Sequence, residues 1–198
     1  HVDFSRPFTI AEMGRWPAAL MWHELVEGHI VLVGPQELVT ANASAASRGP
    51  VPAIDATRLL LNRGAGLLWS LRILRGLEPA PDSDFLRRNR RKADLAVGDA
   101  LLIAYGRHQT AYEGRAEALA ALCDDRPELN GSPPPGVLSS LDVPRDRYRE
   151  ALDFKFRPDD FPETSIEEQR VAVVDSAELV ARVMLHVETR RVGRSWKS

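Results

Sequence analysis

The sequence contains a single cysteine, Cys123, among 198 residues. One cysteine excludes an intrachain disulfide and a zinc site built from several cysteines. A lone free thiol is typical of a reducing compartment, so we expect a cytoplasmic protein. The chain also lacks any apolar run near the ~20 residues that a membrane-spanning helix needs, so we expect no membrane segment.

An excess of basic residues is absent too. The chain has 26 lysines and arginines against 28 aspartates and glutamates, which gives a formal net charge of −2. Proteins that coat nucleic acid are usually strongly basic, so there is no strong nucleic-acid signal. The one basic run consists of Arg87, Arg88, Arg90, Arg91 and Lys92. We interpret it either as a solvated helix face or as a phosphate-binding surface.

The chain does not begin with methionine, and its first residues, HVDF, are typical of a strand already under way. We therefore expect a fragment or a processed product, with part of the parent's chemistry encoded upstream. A second compact run, HIVLV at 29–33, ends at Gly34-Pro35 and predicts a buried strand. Together with two short helical patterns between Thr9 and Gly28, these strands predict a small αβ segment over residues 1–50.

Helical periodicity dominates the remaining sequence. Loops of short and medium length favour helices that run antiparallel to their neighbours. We therefore predict a mainly α fold, in which an antiparallel helical bundle over 52–198 follows the small αβ segment at the N-terminus. The helical patterns lie at about 52–75, 83–105, 110–122, 144–156 and 165–191.

Polar residues interrupt the apolar pattern of the first two long helices. Asn62 and Arg63 break a leucine run, and Lys92 and Asp99 are seven residues apart and so share a helix face. An antiparallel pair that turns near residue 79 brings Arg63 and Lys92 to the same height. We predict that these four residues form one polar cluster. The cluster is either a structural network of paired groups or a wall that faces phosphates.

Four stretches carry a resemblance to a known family. In order they read VDFS, WHELVEGHIVLVGP, RLLLNRGAGLL and KADLAVGDALLIAYG, within residues 1–115. They resemble the later part of bacterial nucleotidyltransferase-fold proteins of the DNA polymerase β superfamily. The resemblance implies that residues 1–50 are the remnant of an αβ catalytic domain and that the helical domain helps to close the nucleotide site. It also implies Mg²⁺-dependent nucleotidyl transfer from an NTP to an acceptor that the sequence does not identify.

The family's chemistry requires a Gly-Ser turn for the triphosphate, an Asp-x-Asp pair and a third carboxylate, which together hold two metal ions. Asp3 matches the third carboxylate, so the resemblance implies that it is a metal ligand. Asp82-Ser-Asp84 has the letters of the pair, but no Gly-Ser turn precedes it and its position predicts a helix N-cap. We expect no NTP turnover by this chain alone, and its catalytic residues stay unassigned.

The residues that would contact the nucleotide come from the predicted polar cluster of the helical domain. They are Asn62, Arg63, Lys92 and Asp99. The alternative to a nucleotidyltransferase is a helical binding module without catalytic activity. Such a module would associate with a partner protein or with a second copy of the chain.

Overall fold

A computed structural model describes residues 7–82, 84–124, 145–162 and 164–193. These residues are mainly α-helical, and none of them lies in a strand. The mainly α fold class is therefore confirmed. The αβ segment is wrong for the described part of residues 1–50, and the strand predicted at residues 2–4 lies outside the described residues. The chain divides into two compact units, His1–Pro52 and Ala53–Ser198.

The first unit is a set of short helices around a small aromatic core. Thr9 and Glu12 form the predicted capping box at the start of the first helix. Trp16 stacks on Trp22 with ring centroids 4.5 Å apart, and Val26 is buried beside them. The helices are α1 (Ile10–Met13), α2 (Leu20–Gly28), α3 (Leu38–Asn42) and α4 (Ala45–Arg48).

Residues 29–33 are the clearest error of the sequence-based prediction. Ile30, Leu32 and Val33 are 84%, 90% and 91% exposed, and the segment is irregular. A strand is stabilised by hydrogen bonds and side-chain contacts with a neighbouring strand. The described part of this unit contains no such neighbour, so the high β-propensity of the run does not produce a strand.

The second unit contains five longer helices. The last of them begins with the predicted capping box, in which the Ser165 hydroxyl accepts from the Glu168 N–H at 3.2 Å and the Glu168 carboxylate accepts from the Ser165 N–H at 2.8 Å. The helices are α5 (Ile54–Leu74), α6 (Phe85–Ala104), α7 (Arg115–Cys123), α8 (Arg145–Phe156) and α9 (Ile166–Val192), with a 3-10 turn at Pro158–Asp160.

The register of the three longest helices follows from a few contacts. Gly66 lies against Asn89, and the rings of Trp69 and Phe85 are 5.0 Å apart, so α5 and α6 are antiparallel. Helices α5 and α9 are antiparallel as well, because Thr57 bonds to Glu188 and Gly64 lies against Val180.

Helices α6 and α9, in contrast, are parallel. Asp94 bonds to Ser176 and, further along both helices, Tyr105 bonds to His186. The predicted bundle is present, but this pair departs from the predicted antiparallel arrangement. The reason is that α7 and α8 lie between α6 and α9 in the chain and return it to the starting end. In the described residues, no helix is both long and apolar enough to cross a membrane.

Candidate functional site

The basic run at the start of α6 is largely neutralised by neighbouring carboxylates. Of its five residues, the four arginines each have an acidic partner. Lys92 is exposed, and its side chain has no ion pair among the residues that the structure describes. The run is therefore not a continuous free cationic surface. The pairs are Arg87–Asp84 at 2.5 Å, Arg88–Asp82 at 2.8 Å, Arg90–Asp94 at 3.3 Å and Arg91–Glu150 at 2.6 Å.

The structure assembles only part of the predicted polar cluster. The contact between Gly66 and Asn89 places Arg63 level with Lys92 on adjacent helices, as predicted. Asn62 is exposed and Arg63 half-buried, and neither side chain has a hydrogen bond or ion pair within the described part of the chain. Asp99 does not join them. The predicted convergence of all four residues is therefore wrong.

Asp99 instead faces two later helices. Its carboxylate accepts a hydrogen bond from the Tyr148 hydroxyl of α8 at 2.6 Å and one from Arg115 of α7 at 3.3 Å. Burial raises the pKa of Tyr148, and the adjacent Asp99 carboxylate raises it further. Tyr148 therefore stays protonated and donates to Asp99. The sequence-based prediction paired Asp99 with α5 because it did not anticipate that α7 and α8 cover this side of α6.

Arg115 is the most completely buried charged residue described, at 1% exposure. Besides Asp99, it donates to the carbonyls of Gln109 and Thr110, both at 2.7 Å, and its guanidinium lies 4.1 Å from the centre of the Tyr112 ring. It thus ties the loop before α7 to α6. These contacts satisfy a buried charge and indicate a structural role.

A second buried carboxylate on α6, Asp94, joins three helices. It accepts hydrogen bonds from Arg147 of α8 at 2.8 Å and from Ser176 of α9 at 2.7 Å, and Arg90 lies 3.3 Å away. Burial lowers the pKa of the Arg90 guanidinium; Asp94 opposes this shift, while Arg91 and Arg147 add to it. Two arginines therefore share one buried carboxylate. Sequence reasoning missed Asp94, although its position between apolar Ala93 and Ala96 was a signal that it is buried.

One pocket of about 210 Å³ lies between α6 and the start of α9. Its charged residues are Arg87, Arg90 and Glu168. Both arginines are paired with aspartates, and Glu168 places a carboxylate in the wall. The pocket thus lacks the free positive charge that an anion would require. Its lining residues are Leu86, Arg87, Arg90, Thr164, Glu168, Gln169, Ala172 and Val173.

A magnesium site is not found in the part of the chain that the structure describes. No group of three or more histidine, cysteine, aspartate or glutamate side chains is placed to hold a metal ion there. Mg²⁺ is usually bound by one or two carboxylates together with substrate phosphates, and the family's site needs three carboxylates. Asp3, the predicted ligand, lies outside the described residues. The magnesium site that the resemblance implies therefore remains a prediction.

Helices α5 and α9 leave an apolar surface exposed beside their contact. On α5, Leu60 and Leu67 lie on the face of the helix that is buried in the core. Leu61 and Leu68 lie on the neighbouring face of the helix and are 53% and 65% exposed. We name this surface the α5/α9 face. It consists of Leu61, Ala65 and Leu68 of α5 and of Val174, Ala181 and Leu185 of α9.

The part of this surface on α9 follows the same pattern. Val183 and Val187 are buried on the core side of the helix, whereas Ala181 and Leu185 are exposed on the other side. Because α5 and α9 pack side by side, their two exposed stripes adjoin on the outside of the bundle. The α5/α9 face is therefore continuous across the two helices.

Glu188 provides a polar link between α5 and α9 whose pH dependence is testable. Arg191, at 2.6 Å, and the Thr57 hydroxyl hold the pKa of Glu188 down to about 2, against its usual 4.5. The folded state is therefore favoured above pH 4.5, and this contribution is lost as the pH falls toward 2. We expect the melting temperature of the wild type to fall toward that of Glu188→Gln over this range. If the melting temperatures of the two proteins keep the same difference over this pH range, this role of Glu188 is contradicted.

Comparison of the chain with protein-family models, with curated proteins and with solved structures gives no match. A functional interpretation must therefore come from the residues and their geometry. Asp94, Asp99 and Arg115 are engaged in buried networks that hold helices together. Lys92 and the α5/α9 face are two of the features that these networks do not explain.

Proposed function

We propose that the chain belongs to a protein that transfers a nucleotidyl group from an NTP to an acceptor, and that its helical unit contacts the NTP phosphates through Lys92. The order of the four sequence stretches supports the type of reaction. The observation that carries the assignment of Lys92 is its availability. It is exposed and unpaired among the described residues, while the arginines that precede it are neutralised. A lysine ammonium on a flexible stem suits a phosphate contact.

Arg63 and Asn62 support the same assignment. Arg63 lies level with Lys92 on the adjacent helix, and Asn62 is exposed next to it. Two cations at one height would together attract a polyphosphate. Asp99 serves to hold α7 and α8 on α6 and is left out of the proposed contact. Because Asp3, the one ligand assigned to Mg²⁺, lies outside the described residues, no step of the reaction is derived through a metal.

Replacing Lys92 with alanine is expected to weaken NTP binding by the full chain up to about fivefold at low salt. An exposed charge contact contributes roughly 0.2–1 kcal/mol, which corresponds to a change of this size. Isothermal titration of the variant with ATP and GTP measures it. Arg149→Ala is the matched control, because it removes one exposed positive charge from α8. Equal binding by both variants would show that Lys92 does not contact the nucleotide.

A helical interaction module is the second candidate, and the α5/α9 face favours it. Isolated exposed leucines are common on protein surfaces, but contiguous apolar patches usually mark an interaction site. The face combines large exposed side chains from two helices, including Leu68 at 65% exposure. This function is compatible with the first, because the face and Lys92 are separate surfaces.

A further inference from the structure

We propose that the pocket between α6 and α9 binds a guanine base. Arg90, in the wall of this pocket, and Lys92 are two positions apart on α6. Side chains two positions apart project about 200° from each other around a helix, so the pocket and Lys92 lie on different sides of α6. The inference therefore goes beyond the proposed phosphate contact and does not depend on it.

Arg90 lines the pocket, and most of its N–H groups have no acceptor. Its side chain is 20% exposed, and its Nε lies 3.3 Å from Asp94 without the geometry of a hydrogen bond. Its two terminal NH₂ groups have no hydrogen bond within the described part of the chain. Asp94 thus balances the charge of Arg90 but leaves its hydrogen-bonding capacity unused. Because a donor that is largely buried without an acceptor is costly, a neutral ligand with acceptor atoms would stabilise this site.

Glu168 lines the same pocket and provides the opposite chemistry. Its Oε2 accepts hydrogen bonds from the Ser165 N–H and hydroxyl, at 2.8 and 2.7 Å. Its Oε1 has no hydrogen bond among the described residues, and none of the described ion pairs joins Arg90 to Glu168. The pocket therefore has donors on the α6 side and an acceptor on the α9 side that do not satisfy each other. This arrangement suits a ligand with acceptors at one edge and donors at another.

Guanine has this arrangement of acceptors and donors. Its O6 and N7 are adjacent acceptors for the two N–H groups of a guanidinium, and its N1–H and N2 amino group are adjacent donors for a carboxylate. Adenine alternates donor and acceptor along its edge, and its usual partner is the amide of asparagine or glutamine. Gln169 is the amide side chain in the wall, and its Nε2 already donates to the Thr164 carbonyl at 3.0 Å. The wall thus favours guanine over adenine.

The apolar part of the wall is suited to the faces of a ring. Leu86 of α6 and Val173 of α9 are 5% and 1% exposed, and Ala172 precedes Val173 in the wall. Pockets for drug-sized ligands enclose about 300–1,000 Å³. At about 210 Å³, this pocket admits a ring system but not a whole nucleotide, so the ribose and any phosphate remain outside. This agrees with the lack of free positive charge in the described wall.

Equilibrium dialysis of the full chain against radiolabelled guanosine tests the inference. A nucleoside is the probe because it carries no phosphate for Lys92 to bind. We expect guanosine to bind and adenosine to compete at least about fivefold more weakly, which is the lower limit for the loss of one bidentate contact. No binding of guanosine up to millimolar concentration, or equal competition by adenosine, would overturn the inference.

Two substitutions in the wall test whether the pocket is the binding site. Arg90→Met removes the donors and Glu168→Gln removes the carboxylate, so each should weaken guanosine binding at least about fivefold. Both variants should keep the fold, because Asp94 retains its bonds to Arg147 and Ser176 and because glutamine also serves in a capping box. Circular dichroism checks their helical content.

Arg88→Met is the matched control for Arg90→Met. Arg88 lies on the same helix and is paired with aspartates, but it does not line the pocket. We expect this variant to bind guanosine as the wild type does. Undiminished binding by both wall variants, or an equal loss in the control, would overturn the inference.

Inosine tests the contact with Glu168 from the side of the ligand, because it lacks the N2 amino group of guanosine. The wild type should prefer guanosine, and Glu168→Gln should lose most of this preference. Equal binding of the two nucleosides by the wild type would refute the contact.

Lys92→Ala separates this inference from the proposed function. It should bind guanosine as tightly as the wild type does, whether or not its NTP binding is weakened. A loss of guanosine binding as large as that of Arg90→Met would place the base at Lys92 and overturn the inference.

Discussion

Replacing Gly98 with alanine is expected to destabilise the helical unit by about 3 kcal/mol, at the upper end of the usual cost of overpacking a core. A Cβ at this position would lie 2.9 Å from Leu119 Cδ2 and closer still to the ring of Tyr148. The Tyr148 ring cannot move aside easily, because it is buried and its hydroxyl is bonded to Asp99. Gly98 thus permits α8 and α7 to pack closely on α6.

Chemical denaturation of the full chain measures this effect, with Gly64→Ala as the matched control. Gly64 is also in the middle of a long helix, but an added Cβ would meet only Val180, at 3.8 Å. Alanine is favoured over glycine in a helix by about 1 kcal/mol, so this variant should be as stable as the wild type or more stable. Similar losses at both glycines would show that close packing at Gly98 is not the cause.

Replacing Arg115 with methionine is expected to destabilise the same unit by about 3–5 kcal/mol, since breaking a buried ion pair leaves an uncompensated charge behind. Asp99 would keep only the Tyr148 hydroxyl of its two described partners. The carbonyls of Gln109 and Thr110 would also lose a donor. The loop before α7 would loosen, and the midpoint of thermal unfolding should fall by about 6–20 °C.

Arg88→Met distinguishes the effect of burial from the number of charge pairs. Arg88 contacts two carboxylates, those of Asp82 and Asp84. For Arg115 only one acidic partner, Asp99, is described. Its side chain is 39% exposed, however, and exposed pairs contribute at most about 1 kcal/mol. Arg88→Met should therefore be nearly neutral. A loss as large as that for Arg115→Met would show that burial is not the deciding factor.

The features predicted correctly from the sequence are those set by local interactions. The capping boxes at Thr9 and Ser165 depend on residues three positions apart, so their chemistry can be read directly from the chain. The antiparallel register of α5 and α6 follows from one short connection. The run at 29–33 was predicted incorrectly because a strand depends on a distant partner strand, about which local propensity contains no information.

The polar residues of α6 show the same limit at the level of side chains. The sequence indicates that Asp99 lies among apolar residues of its helix and needs a hydrogen-bonding partner. It does not indicate whether that partner comes from α5 or from helices that follow later in the chain. Arg115 and Tyr148 are 16 and 49 residues away from it.

The parallel arrangement of α6 and α9 has a consequence for the synthesis of the chain on the ribosome. Thr57 and Glu188 are 131 residues apart, and Ala104 and Arg190 are 86 apart, so the two hydrogen bonds with the largest sequence separation among the described residues both involve α9. While α5 and α6 emerge from the exit tunnel, the leucines and Asp94 that α9 will cover remain open to solvent and to chaperones. The core closes only after residue 188 has left the tunnel, so a ribosome that pauses before α9 prolongs exposure of an aggregation-prone helical hairpin.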